Sequence, residues 1–207
     1  PYYLLLGISC GLVSLYFSKA VQKTETLMEG LESQTLRILY GGAILGIMVF
    51  FLPPIYGEGY DTLNTLIDGR SNELLEKSPF FSIIENPYVI IVFLVFIILI
   101  KPIAAAVTLG AGGSGGIFAP SLYVGGILGF LFAYSSNLFN FTIPLPLAHF
   151  TLVAMCGVMA GAQHAPLSAI FLIAEITGGY ELFIPLMFVS AISYVTKTAY
   201  QKDSIYM

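Results

Sequence analysis

The sequence predicts an all-α integral membrane fold, a multi-span bundle of tilted and broken helices. Three observations predict it. Of the 207 residues, 57% are hydrophobic and 10% charged, against about 45–50% and about 25% in soluble domains. No Asp, Glu, Lys or Arg occurs from Pro102 to Ala174, which leaves no material there for a water-facing surface. Long apolar runs alternate with shorter ones split by Gly and Pro. A net charge of −4 with no basic patch excludes nucleic acid as a partner, because phosphates demand clustered Lys and Arg. Cys10 and Cys156 lie in apolar runs and carry no disulfide signal.

The first run, 1–18, lacks the basic leader of a signal peptide and is expected to be a membrane helix. Because it opens on a proline inside an apolar run, the chain reads as a piece of a longer polypeptide. Residues 18–37 hold six charges and are expected to form a loop. A second span is expected over 38–55. The acidic stretch 56–87 follows, with Pro53-Pro54 and Gly57, Gly59 and Gly69 as turn signals, and is expected to be part irregular and part short helix. Further spans are expected over 88–109 and 182–199, since about 20 apolar residues cross a hydrocarbon core.

Between those two spans lie the shorter apolar pieces 117–136, 148–162 and 166–176, with joints at 110–116, 142–146 and 163–166. Backbone broken at membrane depth is tolerated only where protein encloses it or it lines a wet cavity, so broken helices point to a solute site. Lys19, Lys23, Arg37, Lys197 and Lys202 outnumber Arg70 and Lys77. The positive-inside rule then places 18–37 and the C-terminus in the cytoplasm and 56–87 outside.

The most informative window is Gly110–Tyr123. Five glycines crowd into Gly110–Gly116, and a helix start follows at Ile117. The N–H groups of Gly116, Ile117 and Phe118 would then have no intrahelical partners and would offer positive field without a full charge, which suits an anion. The alternative is a small-residue packing strip between helices.

What favours the anion site is the ordered string Gly116-Ile117-Phe118-Ala119-Pro120, which resembles the G-x-F-x-P signature of the CLC chloride channel and transporter family. Gly161-Ala-Gln-His-Ala-Pro-Leu167 followed by Phe171-Leu-Ile-Ala-Glu175-Ile-Thr is similar to that family's later helix pair, and Gly41-Gly42-Ala43 and Gly57-Glu58-Gly59-Tyr60 extend the likeness. The resemblance implies that 1–207 is the C-terminal half of a CLC-type transmembrane domain, the second half of an inverted-repeat fold. It implies transport of chloride, with coupled protons in the exchangers, by a multi-pass protein of the cell (inner) membrane that assembles as a homodimer. Chloride is expected as bound substrate, with no cofactor, no metal and no catalytic residue. The family's interface helices would match 1–17, 166–176 and 182–198.

The resemblance further implies that the amides of Ile117 and Phe118, together with a tyrosine hydroxyl matched by Tyr206, hold the anion. Taken alone, Tyr206 reads as an interfacial anchor before it reads as an anion ligand. The family's serine signature G-S-G-I-P, its gating glutamate in G-K/R-E-G-P and the exchangers' inner proton glutamate have no match in this chain, which would hold about half of an anion site. A fluoride-exporting branch of the family is the nearest rival, and Tyr206 leans away from it.

Four other residues bear weighing. Glu175 stands in an apolar run and is expected to accept hydrogen bonds from nearby backbone rather than carry protons. Lys101 either raises the potential along an anion route or snorkels to the interface. His164 reads as a cap and His149 as an interface residue. The string Gly112-Gly113-Ser114-Gly115 also matches a rhomboid-type protease motif, but a serine nucleophile needs a base within hydrogen-bond reach, and the match ignores Ile117–Pro120.

Overall fold

The computed structural model describes residues 1–67, 87–139, 143–178 and 180–201. Among them the secondary structure is helical: α1 (Tyr2–Glu29), α2 (Gln34–Phe51), a 3-10 turn (Pro53–Ile55), α3 (Tyr60–Ile67), α4 (Pro87–Gly110), α5 (Phe118–Leu138), α6 (Leu147–Gln163), α7 (Pro166–Ile176) and α8 (Phe183–Tyr200). Four of these, α1, α2, α4 and α5, are long and apolar enough to cross a membrane. The chain is an integral membrane protein.

Three expectations are corrected. Residues 18–29 are helix rather than loop, because no Gly or Pro occurs between Gly11 and Gly30 and the buried face continues through Ser18, Val21 and Met28. The piece 117–136 is a full-length span: α5 has 21 residues, or about 31 Å at 1.5 Å each. The helix expected over 182–199 forms as α8 but is not among the four membrane-length apolar helices, since Ser190, Ser193, Thr196, Lys197 and Thr198 dilute its apolar content. Residues 68–86, which hold Arg70 and Lys77, lie outside the described residues.

The core lies where α6 passes between α5 and α8, with α1 packed along α8 and α4. Helices α5 and α6 approach closely because α5 turns Gly125 and Gly129 toward its neighbour. A Cβ on Gly129 would overlap the Phe150 carbonyl oxygen and come within 2.7 Å of Ala154 Cβ. Asn137 clamps the connection between them, its side chain both donating to the Leu145 carbonyl (2.9 Å) and accepting from the Leu145 N–H (2.7 Å). Three buried hydroxyls on α1 and α8 donate to their own helices, Ser14 to Gly11 (2.8 Å), Ser18 to Ser14 (3.0 Å) and Ser190 to Met187 (3.0 Å), which satisfies them locally, whereas the buried Ser193 hydroxyl on α8 has no hydrogen-bond partner among the described residues.

Helix α2 is different. Gly41 is its one buried residue, and Ile38, Leu39, Ile47, Phe50 and Phe51 are exposed. A second apolar exposed face runs along α7 and α8, through Leu167, Phe171, Ile176, Ile184, Met187 and Val195.

Candidate anion site

The break at 110–117 is built by its glycines. Helix α4 ends in a Schellman motif: Gly112 adopts φ +88, its N–H donates to the Leu109 carbonyl (2.9 Å), and the Gly113 N–H reaches back to Thr108 (2.9 Å). This satisfies the carbonyls that a helix end leaves without partners. The chain then runs without regular structure until Ile117, the N-cap of α5, at φ −85 and ψ −4. No continuous helix passes through 105–130.

The first intrahelical bond of α5 is from the Ser121 N–H to the Ile117 carbonyl (3.1 Å). Pro120 has no N–H to offer. Among the described residues, no carbonyl or side chain accepts from the N–H groups of Gly116, Ile117, Phe118 or Ala119. That is the electropositive end of a 21-residue helix, with a partial charge near +0.5. A cavity of about 590 Å³ lies against it, walled by Gly115, Gly116, Ala119 and Pro120, by α2 and α4, and by the 55–58 corner.

The structure thus brings Gly116, Ile117 and Phe118 together as consecutive groups at one helix start. Gly116 lines the cavity, the Ile117 side chain is buried, and the Phe118 side chain is partly exposed at 37%. The fourth residue, Tyr206, lies outside the described residues. The first turn of α5 is tied to the end of α6: Ser121 Oγ donates to the Phe118 carbonyl (2.7 Å) and receives Gln163 Nε2 (3.4 Å).

Sequence reasoning left Lys101 between two roles, and one of them fails. Lys101 does not snorkel: it is 3% exposed, and Nζ donates to the Ile55 and Gly57 carbonyls, each at 2.7 Å. It also faces the Tyr123 ring, 4.7 Å from its centroid. The Tyr123 hydroxyl donates to the Pro54 carbonyl (2.8 Å), so the 53–57 corner is held to α4 and α5 by two buried side chains. Gly59, at φ +89, lies so close to Tyr123 that a Cβ would overlap the ring.

His164 caps α6 in the left-handed region, at φ 56 and ψ 31, with Pro166 opening α7. Its role as a cap was legible; its partner was not. Lys197 is fully buried, with Nζ 2.7 Å from His164 Nε2, and so is no surface charge to be counted toward orientation. The glutamate expectation also changes. Glu175 is exposed, and among the described residues its carboxylate accepts no hydrogen bond. Ser114 lines the cavity, and among the described residues no imidazole reaches its hydroxyl. His149 is exposed at the start of α6.

The family model described as voltage gated chloride channel matches residues 1–198. A ClcB-like chloride channel protein of Ralstonia nicotianae is 27% identical over 206 residues, which cover 99% of this chain and 44% of that protein. The voltage-gated ClC-type chloride channel ClcB of Escherichia coli is 30% identical over 173 residues, covering 82% of this chain and 36% of that protein. Among solved structures, a slow cyanobacterial Cl⁻/H⁺ antiporter superposes with a TM-score of 0.73 at 25% identity, over 99% of this chain and 44% of its own. A CLC-type fluoride/proton antiporter gives 0.71 at 20% identity with the same coverage. The chain spans less than half the length of each of these proteins.

Proposed function

The chain belongs to the voltage-gated chloride channel family, and from that premise we propose that it is the C-terminal half of a membrane domain that moves chloride across a bilayer. The observation that carries the reading is the amide-lined start of α5: four consecutive residues, Gly116 to Ala119, whose N–H groups have no protein acceptor among the described residues, beside a cavity. Neutral donors suit a transported ion. They stabilise the anion where water is excluded, yet hold it less tightly than a full cation would, so it can leave.

In this proposal the Gly116, Ile117 and Phe118 amides hold the anion from one side, and Tyr206 adds a hydroxyl, a donor without charge. The rest of the site comes from the half of the domain that this chain does not contain. Chloride is the bound substrate and no resident cofactor is needed. Protons are co-substrates if the protein is an exchanger. The exposed apolar face of α7 and α8 supports assembly as a homodimer, since contiguous apolar surface of that kind is covered by lipid or by a second copy. The protein resides in the cell (inner) membrane with the end of α8 toward the cytoplasm.

The test is anion flux from liposomes carrying the complete polypeptide to which this chain belongs. Chloride efflux that saturates with concentration and exceeds fluoride efflux supports the reading. Fluoride flux with chloride excluded would transfer the protein to the fluoride-exporting branch, and absence of both fluxes would end the proposal.

A further inference from the structure

A buried pair of ionisable side chains stands outside the cavity wall. Lys197 is fully buried on α8, and its Nζ lies 2.7 Å from Nε2 of His164, the half-buried left-handed cap of α6. Ionisable residues at membrane depth are functional candidates once a partner can be named. Both of these side chains can carry positive charge. A contact of 2.7 Å needs one donor and one acceptor, so the pair holds one proton fewer than it can. A further proton from water turns the acceptor into a second donor, and two cations then face each other where little water screens them. Histidine is the side chain whose charge ordinarily changes between about pH 5 and 8, which makes it the member suited to take that proton.

The pair is linked to the anion site by its neighbour in the chain. Gln163 Nε2 donates to Ser121 Oγ (3.4 Å), and Ser121 Oγ donates to the Phe118 carbonyl (2.7 Å). Residues 163 and 164 thus tie α8 on one side and the first turn of α5 on the other. His164 sits at φ 56, a conformation that costs a non-glycine residue energy and persists where neighbours enforce it. Lys197 also has a second place to go. Helical side chains lean toward the N-terminus, here over the turn that holds Ser193, whose fully buried hydroxyl has no partner among the described residues. Ser193 Oγ faces Gly161, one turn before His164, together with Ser14 Oγ of α1. An idle buried hydroxyl costs energy, and that cost has a use if the ammonium takes the hydroxyl as its acceptor in a second state.

Few charges surround the pair. From α8, His164 meets Lys197 and the edge of the Tyr194 ring, with centroids 5.4 Å apart; α1 presents Ser14 at Gly161, and α5 presents Ser121 at Gln163. The Cys10 and Cys156 thiols lie at the level of Gly157, about 10 Å along α6 from His164. Glu175 stands at the far end of α7, about 14 Å from Pro166. On α1, Glu25 is about 16 Å from Ser14 and Glu29 lies further, while Lys19 and Lys23 are exposed. Asp61 belongs to α3, which packs at the level of Met155 through Leu63. Lys202 and Asp203 lie outside the described residues.

We propose that His164 and Lys197 form a proton-binding site that controls the anion site: uptake of one proton parts the two cations, passes Lys197 to Ser193, frees the end of α6 and, through Gln163 and Ser121, loosens the first turn of α5 and its hold on chloride. The inference rests on the anion-transport reading and adds to it a proton site within this half of the domain. Its sign is distinctive. Added positive charge by itself would tighten chloride binding, whereas an opened latch weakens it. Lys197 stands in the last turn of α8 and His164 is half-buried, so a proton reaches the pair from the aqueous side without crossing the bilayer.

The experiment uses the complete polypeptide, with chloride as the probe and affinity measured by calorimetric titration at about pH 8 and about pH 5.5, either side of the ordinary histidine range. The quantity read is the weakening of chloride affinity between the two, since titrating groups elsewhere contribute equally to every variant. It should be roughly three- to tenfold greater in the unmodified protein than in His164→Gln, which keeps an acceptor and cannot titrate, a tenfold change corresponding to about 1.4 kcal/mol. Lys197→Met removes the opposing cation and should lower the weakening to the His164→Gln value, with the double variant no lower, because the two residues act as one unit.

A His164→Gln protein whose affinity keeps the full pH dependence, or falls equally at both pH values, overturns the proposal in favour of a structural tie between α6 and α8. Tightening at low pH that the variant abolishes overturns it in favour of a bare charge effect. If His164→Gln or Lys197→Met is not recovered folded, His164→Asn decides, since asparagine tolerates the left-handed conformation and does not titrate: a reduced pH dependence supports the proton site and an unmoved one overturns it. Absence of chloride binding in the unmodified polypeptide at both pH values overturns the transport reading itself, which separates that failure from failure of the proton site.

Discussion

Replacing Gly129 by alanine tests the packing that carries the candidate site. The new Cβ would overlap the Phe150 carbonyl oxygen and stand 2.7 Å from Ala154 Cβ, whereas carbon atoms rest at about 3.5–4.0 Å. Helices α5 and α6 must part by about 1 Å, which forfeits a quarter to a half of the attraction between facing atoms. Overpacking of this kind costs about 1–3 kcal/mol, and the better helix propensity of alanine returns about 1 kcal/mol at most. Because the overlap is with backbone, which cannot rotate away, the cost lies toward the upper end, and the net loss is about 1–2 kcal/mol, or a midpoint lower by about 2–8 °C for a chain of this length. Gly46 on α2 is the control. Nothing lies within 4 Å of the point where an alanine methyl would stand there, so Gly46→Ala should stabilise by about 0.5–1 kcal/mol. The readout is thermally triggered maleimide labelling of Cys10 and Cys156 in detergent, since these are the two cysteines of the chain and both are buried. Equal midpoints for the two variants, or a Gly129→Ala protein more stable than its parent, would refute the close approach of α5 to α6.

Two further outcomes are expected. The 207-residue chain alone in liposomes should show no chloride flux above protein-free controls, because one half-site leaves its amides facing lipid or water; saturable flux would show the remaining half to be dispensable. In the complete polypeptide, Tyr206→Phe removes one hydroxyl donor to a charged partner, about 1.5–3 kcal/mol if the bond is strong and about 0.5–1.5 kcal/mol if weak; calorimetric titration should show chloride affinity reduced by roughly three- to a hundredfold, more for Tyr206→Ala, and unchanged affinity in both would make Tyr206 an interfacial anchor.

The break at 110–117 was legible because glycine acts locally. Gly112 provides the left-handed residue of a Schellman end, and the Gly-rich run that follows has little to pack as helix, so composition and structure agree without knowledge of the neighbours. The joint at His164 and Pro166 was legible for the same reason. The extent of α1 was not. Lys19, Lys23 and Glu25 read as a loop in a count of charges, yet the burial of Val21 and Met28 against other helices keeps that segment helical. Lys101 and Lys197 were the least legible. In sequence each is one cation at the edge of an apolar run, and its role depends on residues far away, Ile55 and Gly57 for one and His164 for the other. Burial of a long side chain is a tertiary property, and no local pattern announces it.

Whether the α5 amides hold the anion is decided by removing a single backbone donor from the start of that helix. In the complete polypeptide, an ester in place of the Ile117–Phe118 amide deletes the Phe118 N–H and leaves every side chain intact. That N–H makes no bond to the described protein, so folding should be nearly unaffected, while a hydrogen bond to a bound anion is worth about 1.5–3 kcal/mol. Chloride affinity is expected to weaken by about ten- to a hundredfold in calorimetric titration, with an ester at Ser121, whose N–H closes the first helical turn, lowering stability and leaving affinity within about twofold. Chloride affinity untouched by the Phe118 ester would contradict the assignment of the α5 amides as the anion site.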